Sequence, residues 1–204
     1  MWWLGLPPGT LAQRAGAYIV FPKVAALLER RSEVAPRLRA TRRNMLMLVA
    51  IAAGIGIAVS DEFILLTYDA RYHAAAFMIP LLLVSMWFGI LSTFADSMLM
   101  GCGRPAPGAW ANGFKFAVML VGLPHAIARG DMIEALAVLI AAEVVRWLYL
   151  VPASRAERFA SARDDIFLTA LMLFVAVGAK VLLGLAGIVP SPAEWWAMRG
   201  LLHG

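Results

Sequence analysis

The sequence predicts an all-α fold: a polytopic membrane helix bundle with five full transmembrane helices and a partial one at its N-terminal end. Three observations carry that prediction. The 204 residues are 62% hydrophobic and only 15% charged, with a mean hydropathy of +0.77; a soluble domain has roughly 45–50% apolar and about 25% charged residues. Several apolar runs reach or approach the ~20 residues a helix needs to cross a bilayer. The runs are continuous rather than alternating, which argues against barrel strands and for helices that satisfy their own backbone hydrogen bonds.

The elements follow in order. Trp2–Phe21 is apolar but interrupted by Pro7 and Pro8, and it carries Gln13 and Arg14, so it reads as a partial span. Its opening "MWWLGLPPGT" has neither a basic n-region nor a small-residue cleavage site, so no signal peptide is expected. "VAALLERRSEVAPRLRATRRN" reads as an amphipathic elbow broken at Pro36, its charges meeting lipid headgroups rather than nucleic acid. Five full spans are then expected at Asn44–Tyr68, Ala75–Met100, Ala109–Ala128, Met132–Val151 and Ile166–Val189.

"TYDARYH" separates the first two spans with few residues to spare, so it makes a tight polar turn at a membrane face. "GCGRP" at Gly101–Pro105 is a second tight turn, without the strand–loop–helix context of a phosphate-binding loop. Gly54 and Gly56, beside Ala52 and Ala53, form a small-residue patch of the kind that lets membrane helices approach. In "PSPAEWWAMRGLLHG", Ser191, Pro192 and Glu194 fit a capping box with proline at the first helical position. Residues 191–204 are therefore expected to be an interfacial helix, and residues 1–190 the bundle.

Orientation follows from the basic residues. One side collects Lys23, Arg30, Arg31, Arg37, Arg39, Arg42, Arg43, Arg104, Arg155, Arg158 and Arg163, and the other only Arg71, Arg129 and Arg199. Loop-by-loop alternation of this kind puts the arginine-rich side in the cytoplasm, and the C-terminus on the opposite side.

Charges within spans are where function is expected. The last span is rich enough in large apolar residues to absorb Lys180 alone. Met132–Val151 carries both Glu143 and Arg146. Two central charges cost about 5–7 kcal/mol, against roughly 3–6 kcal/mol returned by that span's aliphatic residues. Pairing eases insertion, and the i, i+3 spacing puts the two on one face. They form either an internal salt bridge, with Arg146 reaching toward the cytoplasm, or one wall of a wet cavity that meets a charged ligand. Lys115 is expected to snorkel, Asp96 to make a helix-end polar contact, and Arg14 to serve a cavity.

No enzyme is expected. His73, His125 and His203 are too scattered for a metal site, and Cys102 is the single cysteine. Adjacent Asp61 and Glu62 point about 100° apart on a helix and cannot flank one bond as acid and base. No metal or cofactor is expected.

Two stretches carry a family resemblance. "YIVFPKVAALLERR" resembles the "FP" helix end and charged loop of polysaccharide flippases. "LLTYDARYHAAAFMIPLLLVSMWFGILSTFADSMLMGCGRP" resembles their Tyr-rich exit turn, following helix and "GR" cytoplasmic turn; it keeps the Tyr68, Tyr72 and Ala75 spacing but has Asp69 where glycine is usual. The family is the O-antigen-type oligosaccharide flippases of the multidrug/oligosaccharidyl-lipid/polysaccharide exporter superfamily. The resemblance covers about Tyr18–Pro105, and the later helices only by hydropathy.

It implies the C-terminal part of such a transporter, most of its second bundle, in the bacterial inner membrane with the C-terminus periplasmic. The cargo would be a polyprenyl-diphosphate-linked oligosaccharide for polysaccharide and lipopolysaccharide biosynthesis, moved as two bundles rock around a central cavity. Arg14, Arg146, Lys180 and Lys115 would hold the diphosphate, with Glu143 beside Arg146 in the same substrate-binding site. A missing N-terminal bundle or a second chain would complete the cavity; membrane lipid is the other expected partner, and nucleic acid is not. The alternative is a multispan scaffold that binds partners without transporting.

Overall fold

The computed structural model describes residues 31–69, 73–157 and 162–186, with side chains from residue 39 in the first stretch and 76 in the second. All five elements there are helices: α1 (Arg31–Thr67), α2 (His73–Gly101), α3 (Ala106–Arg129), α4 (Met132–Ala156) and α5 (Ala162–Leu185). Each contains a stretch long and apolar enough to cross a membrane, beginning in α1 at Arg39 and in α2 at Ala76. The chain is a multi-pass helical membrane bundle. The partial span with Arg14, and the interfacial helix over 191–204, lie outside the described residues.

The elbow expected to break at Pro36 does not break: α1 runs through Pro36 as one helix. Pro36 lies in the second turn and precedes the apolar stretch, so the carbonyl it frees can be hydrogen-bonded by water. The other spans also differ from the expected bounds, mostly by extension, although α5 ends at Leu185 rather than Val189. α4 continues through Pro152 to Ala156, and α5 begins at Ala162 rather than Ile166.

Two turns show why the hairpins are tight. α2 ends with Gly103 in the left-handed region (φ 74°), while Arg104 N–H bonds to Leu99 O and Gly103 N–H to Met100 O. This is the Schellman arrangement, in which glycine bears the positive φ without a Cβ penalty. α3 ends the same way at Gly130 (φ 68°), with Asp131 N–H on Ala126 O and Gly130 N–H on Ile127 O. Asp131 then caps α4, its Oδ1 accepting from Ile133 N–H at 2.9 Å and Glu134 N–H at 3.1 Å. One glycine stops a helix and the next residue starts another.

The helices pack in the order α5–α1–α2–α4–α3, with α5 chiefly on α1 and α3 chiefly on α4. The main core joins α1 (Leu46, Ala50, Ala53), α2 (Trp87, Leu91) and α5 (Leu168, Met172). A smaller one joins α2 (Ala95, Leu99), α3 (Ala111) and α4 (Leu150). Helices already in lipid gain from close van der Waals contact and interhelical hydrogen bonds rather than from leaving water. Gly54 shows the contact: a Cβ there would stand 2.6 Å from the Met172 carbonyl oxygen, so only glycine lets α1 meet α5 this closely. Trp87 Nε1–H donates to Thr169 Oγ1 at 3.0 Å, tying α2 to α5.

Ion pairs register the ends. Arg39 on α1 pairs with Asp164 on α5 at 2.8 Å, and Arg104 after α2 pairs with Glu157 after α4 at 2.8 Å. The starts of α1, α3 and α5 and the ends of α2 and α4 thus share one face, the basic face.

Candidate functional site

Eight charged side chains form a polar layer that crosses all five helices. At the α3 side, Lys115 Nζ donates to Glu143 Oε1 on α4. Glu143 Oε2 lies 3.8 Å from Arg146 Nη1, one turn along the same helix, and Arg146 Nη2 lies 3.5 Å from Asp96 Oδ2 on α2. The next residue of α4, Trp147, donates its indole N–H to Asp165 Oδ2 on α5 at 3.1 Å. Asp165 Oδ1 meets Arg42 Nη1 on α1 at 2.8 Å, and the Arg39–Asp164 pair runs beside it. Lys115, Arg146, Arg42 and Arg39 face Asp96, Glu143, Asp164 and Asp165, so the layer carries no net formal charge.

Burial makes the pairing necessary. Arg42 is 2% exposed, Asp165 2% and Arg146 8%, and an unpaired charge at such positions costs several kcal/mol. Glycines give the carboxylates room. A Cβ on Gly108 of α3 would overlap Asp96 Oδ1, and one on Gly89 of α2 would stand 3.3 Å from Glu143 Oε1. Each acid therefore rests in a notch on a neighbouring helix, aimed at a cation. The pairing is nevertheless incomplete: Asp96 Oδ1, Glu143 Oε2 and Arg146 Nε are buried without a hydrogen-bond partner, as are Arg42 Nε and Nη2. The α2–α3–α4 part of the layer thus keeps both acceptor and donor capacity for another polar group.

Lys180 belongs elsewhere. On α5, near the face opposite the basic one, its ammonium contacts Asp61 Oδ2 and lies 3.0 Å from Glu62 Oε1, both on α1. One cation between two buried carboxylates gives this triad a formal charge of −1.

Of the five residues expected to hold a substrate, the structure brings three together: Lys115, Glu143 and Arg146. Lys180 is not among them, and Arg14 lies outside the described residues. Three further expectations are corrected. Lys115 does not snorkel past the bundle but is drawn inward by Glu143. Asp96 is not a helix-end contact; its partner is Arg146, and Gly108 makes the approach possible. Lys180 is not carried by its apolar span alone, because α1 supplies two counter-charges. Asp61 and Glu62 do diverge on their helix, yet both reach one ammonium, since a long Lys side chain from α5 can enter between them.

Sequence reasoning missed Asp96, Asp164 and Asp165 as partners. The pairs they make join distant parts of the chain, for which sequence spacing holds no signal. Gly108 and Gly89 were the available hint, as small residues in the helices facing those acids. Among the described residues, no three or more His, Cys, Asp or Glu side chains are grouped to hold a metal ion.

No family model, curated protein or solved structure matches the chain. What the site can do chemically is therefore argued from its own geometry. Two cations held by two carboxylates, with donor and acceptor atoms to spare, form a network an incoming charged group can rearrange by exchanging partners.

Proposed function

We propose that this chain is part of a membrane transporter for lipid-linked oligosaccharide in the bacterial inner membrane, serving polysaccharide biosynthesis. The observation that carries the reading is the Lys115–Glu143–Arg146–Asp96 network, an ionic group within the span with three buried polar atoms unpartnered. Charges kept inside a membrane protein are costly to hold there, and their default reading is a substrate or ion path. The type of cargo rests on the flippase resemblance of Tyr18–Pro105. A diphosphate would replace the carboxylates on Lys115 and Arg146, where a desolvated charge-assisted contact is strong.

The orientation follows from the arginine-rich face, which the positive-inside rule assigns to the cytoplasm, with the C-terminus in the periplasm. A second bundle, in a longer polypeptide or another chain, would close the cavity around the sugar.

One observation favours a second reading. The layer is neutral by itself, so it also suits a scaffold whose charges exist to join helices. Substitution separates the two. In the transporter, Arg146→Lys keeps the charge and leaves the chain in the membrane, but the point-charge ammonium cannot reproduce the guanidinium fork on Asp96 and Glu143. Glycan display in cells that depend on the chain should then fall at least ten-fold while its membrane level stays normal. Normal display in Arg146→Lys and Lys115→Met alike would sink the transport reading.

A further inference from the structure

The basic face separates its arginines into two groups. Arg39, Arg42 and Arg104 are held by Asp164, Asp165 and Glu157. Arg43 on α1, Arg155 on α4 and Arg163 on α5 are exposed, and none of the three is ion-paired among the described residues; Arg43 and Arg163 are the two at the α1–α5 seam. Arg43 is next to Arg42, and Arg163 is next to Asp164, so both flank the rungs that fix α1 to α5.

What lies beyond each arginine along its helix identifies the partner. From Arg163 the exposed side of α5 continues through Ile166, Phe167 and Phe174, at spacings that keep them on one side. From Arg43 the exposed side of α1 continues through Met47, one turn on. The distance from Arg163 to Phe174 is about 16 Å along the helix, close to one leaflet of a hydrocarbon core of about 30 Å. A cation at the head of an apolar track one leaflet deep fits a molecule with a charged head and a long tail. A water-soluble polyanion would use the charge and leave the track empty.

We propose that Arg43 and Arg163 bind the phosphates of anionic phospholipids in the leaflet at the basic face, with the acyl chains lying along these tracks. A zwitterionic headgroup carries its own cation and competes with the arginine for the phosphate. A headgroup of net negative charge does not, and gains about five-fold in affinity per arginine near the surface. This inference does not depend on what the chain transports.

The test is native mass spectrometry of the purified full chain, released from micelles holding equal amounts of palmitoyl-oleoyl phosphatidylglycerol and palmitoyl-oleoyl phosphatidylcholine. Phosphatidylglycerol should be retained preferentially. Arg43→Gln and Arg163→Gln should each lower its retention about five-fold while phosphatidylcholine adducts stay constant, which shows that the variants are folded. Arg129→Gln, exposed at the opposite face, should change neither. Equal retention of the two lipids by the unaltered chain would overturn the proposal. So would undiminished phosphatidylglycerol adducts in both variants, or displacement of the lipid by soluble glycerol phosphate at equal concentration.

Discussion

At Gly108 a single hydrogen atom in place of a methyl group decides whether α3 can lie against Asp96. A Cβ would overlap Asp96 Oδ1, so the carboxylate would have to swing aside from the place where it lies 3.5 Å from Arg146. Gly108→Ala should therefore push Asp96 off its partner and cost about 1–3 kcal/mol, as overpacking in a filled interior does. Thermal unfolding in detergent measures it; an unchanged midpoint would show that Asp96 relaxes freely. Lys180 sets the opposite problem, since its removal strands two buried carboxylates. Lys180→Ala should lower stability by roughly 3 kcal/mol, and adding Asp61→Asn with Glu62→Gln should restore most of it. Failure of that rescue would mean that Lys180 matters for something other than neutralising this pair.

At the scale of elements, legibility depended on how far the relevant physics reaches along the chain. The five spans could be read directly, because hydrophobic length is a local property and a bilayer fixes the length required. The turn at Gly103, inside the expected "GCGRP" turn, was equally local. The break expected at Pro36 was wrong because a proline near a helix start loses one hydrogen bond and need not end the helix. Glu143 and Arg146 could be matched, being one turn apart on α4. Asp165 could not be matched with Arg42, nor Asp96 with Arg146, because such partners are set by which helices pack together.

Packing also predicts which small residues matter. Gly54 faces the Met172 carbonyl oxygen at 2.6 Å, a backbone atom that cannot turn aside, whereas Gly56 has only the Leu83 side chain at 3.5 Å. Gly54→Ala should loosen α5 from α1 by about 1–3 kcal/mol, while Gly56→Ala stays near neutral. Chemical denaturation of the two variants in the same detergent compares them. Equal effects would show that the small-residue patch acts as a whole rather than through its one tight contact.

For the whole molecule, the charged layer and the alternating helices give one geometric consequence. Ion pairs at the helix ends put Arg39, Arg104, Glu157 and Asp164 on a single face, and Cys102 lies in the same turn as Arg104. Arg129, at the far end of α3, is on the other face, where it lies 3.7 Å from Glu134. By the positive-inside rule, the arginine excess of the Cys102 face predicts that it is the cytoplasmic side. In intact cells a membrane-impermeant maleimide should then leave Cys102 unmodified until the membrane is permeabilised. A Cys102→Ser, Arg129→Cys variant should react at once. Reaction of both cysteines in intact cells would contradict a helix spanning between them, since α3 would then start and end on the same side. Reversed reactivity would keep the bundle but invert it, and the arginine-rich layer would have to be read as the outer end of any path through the protein.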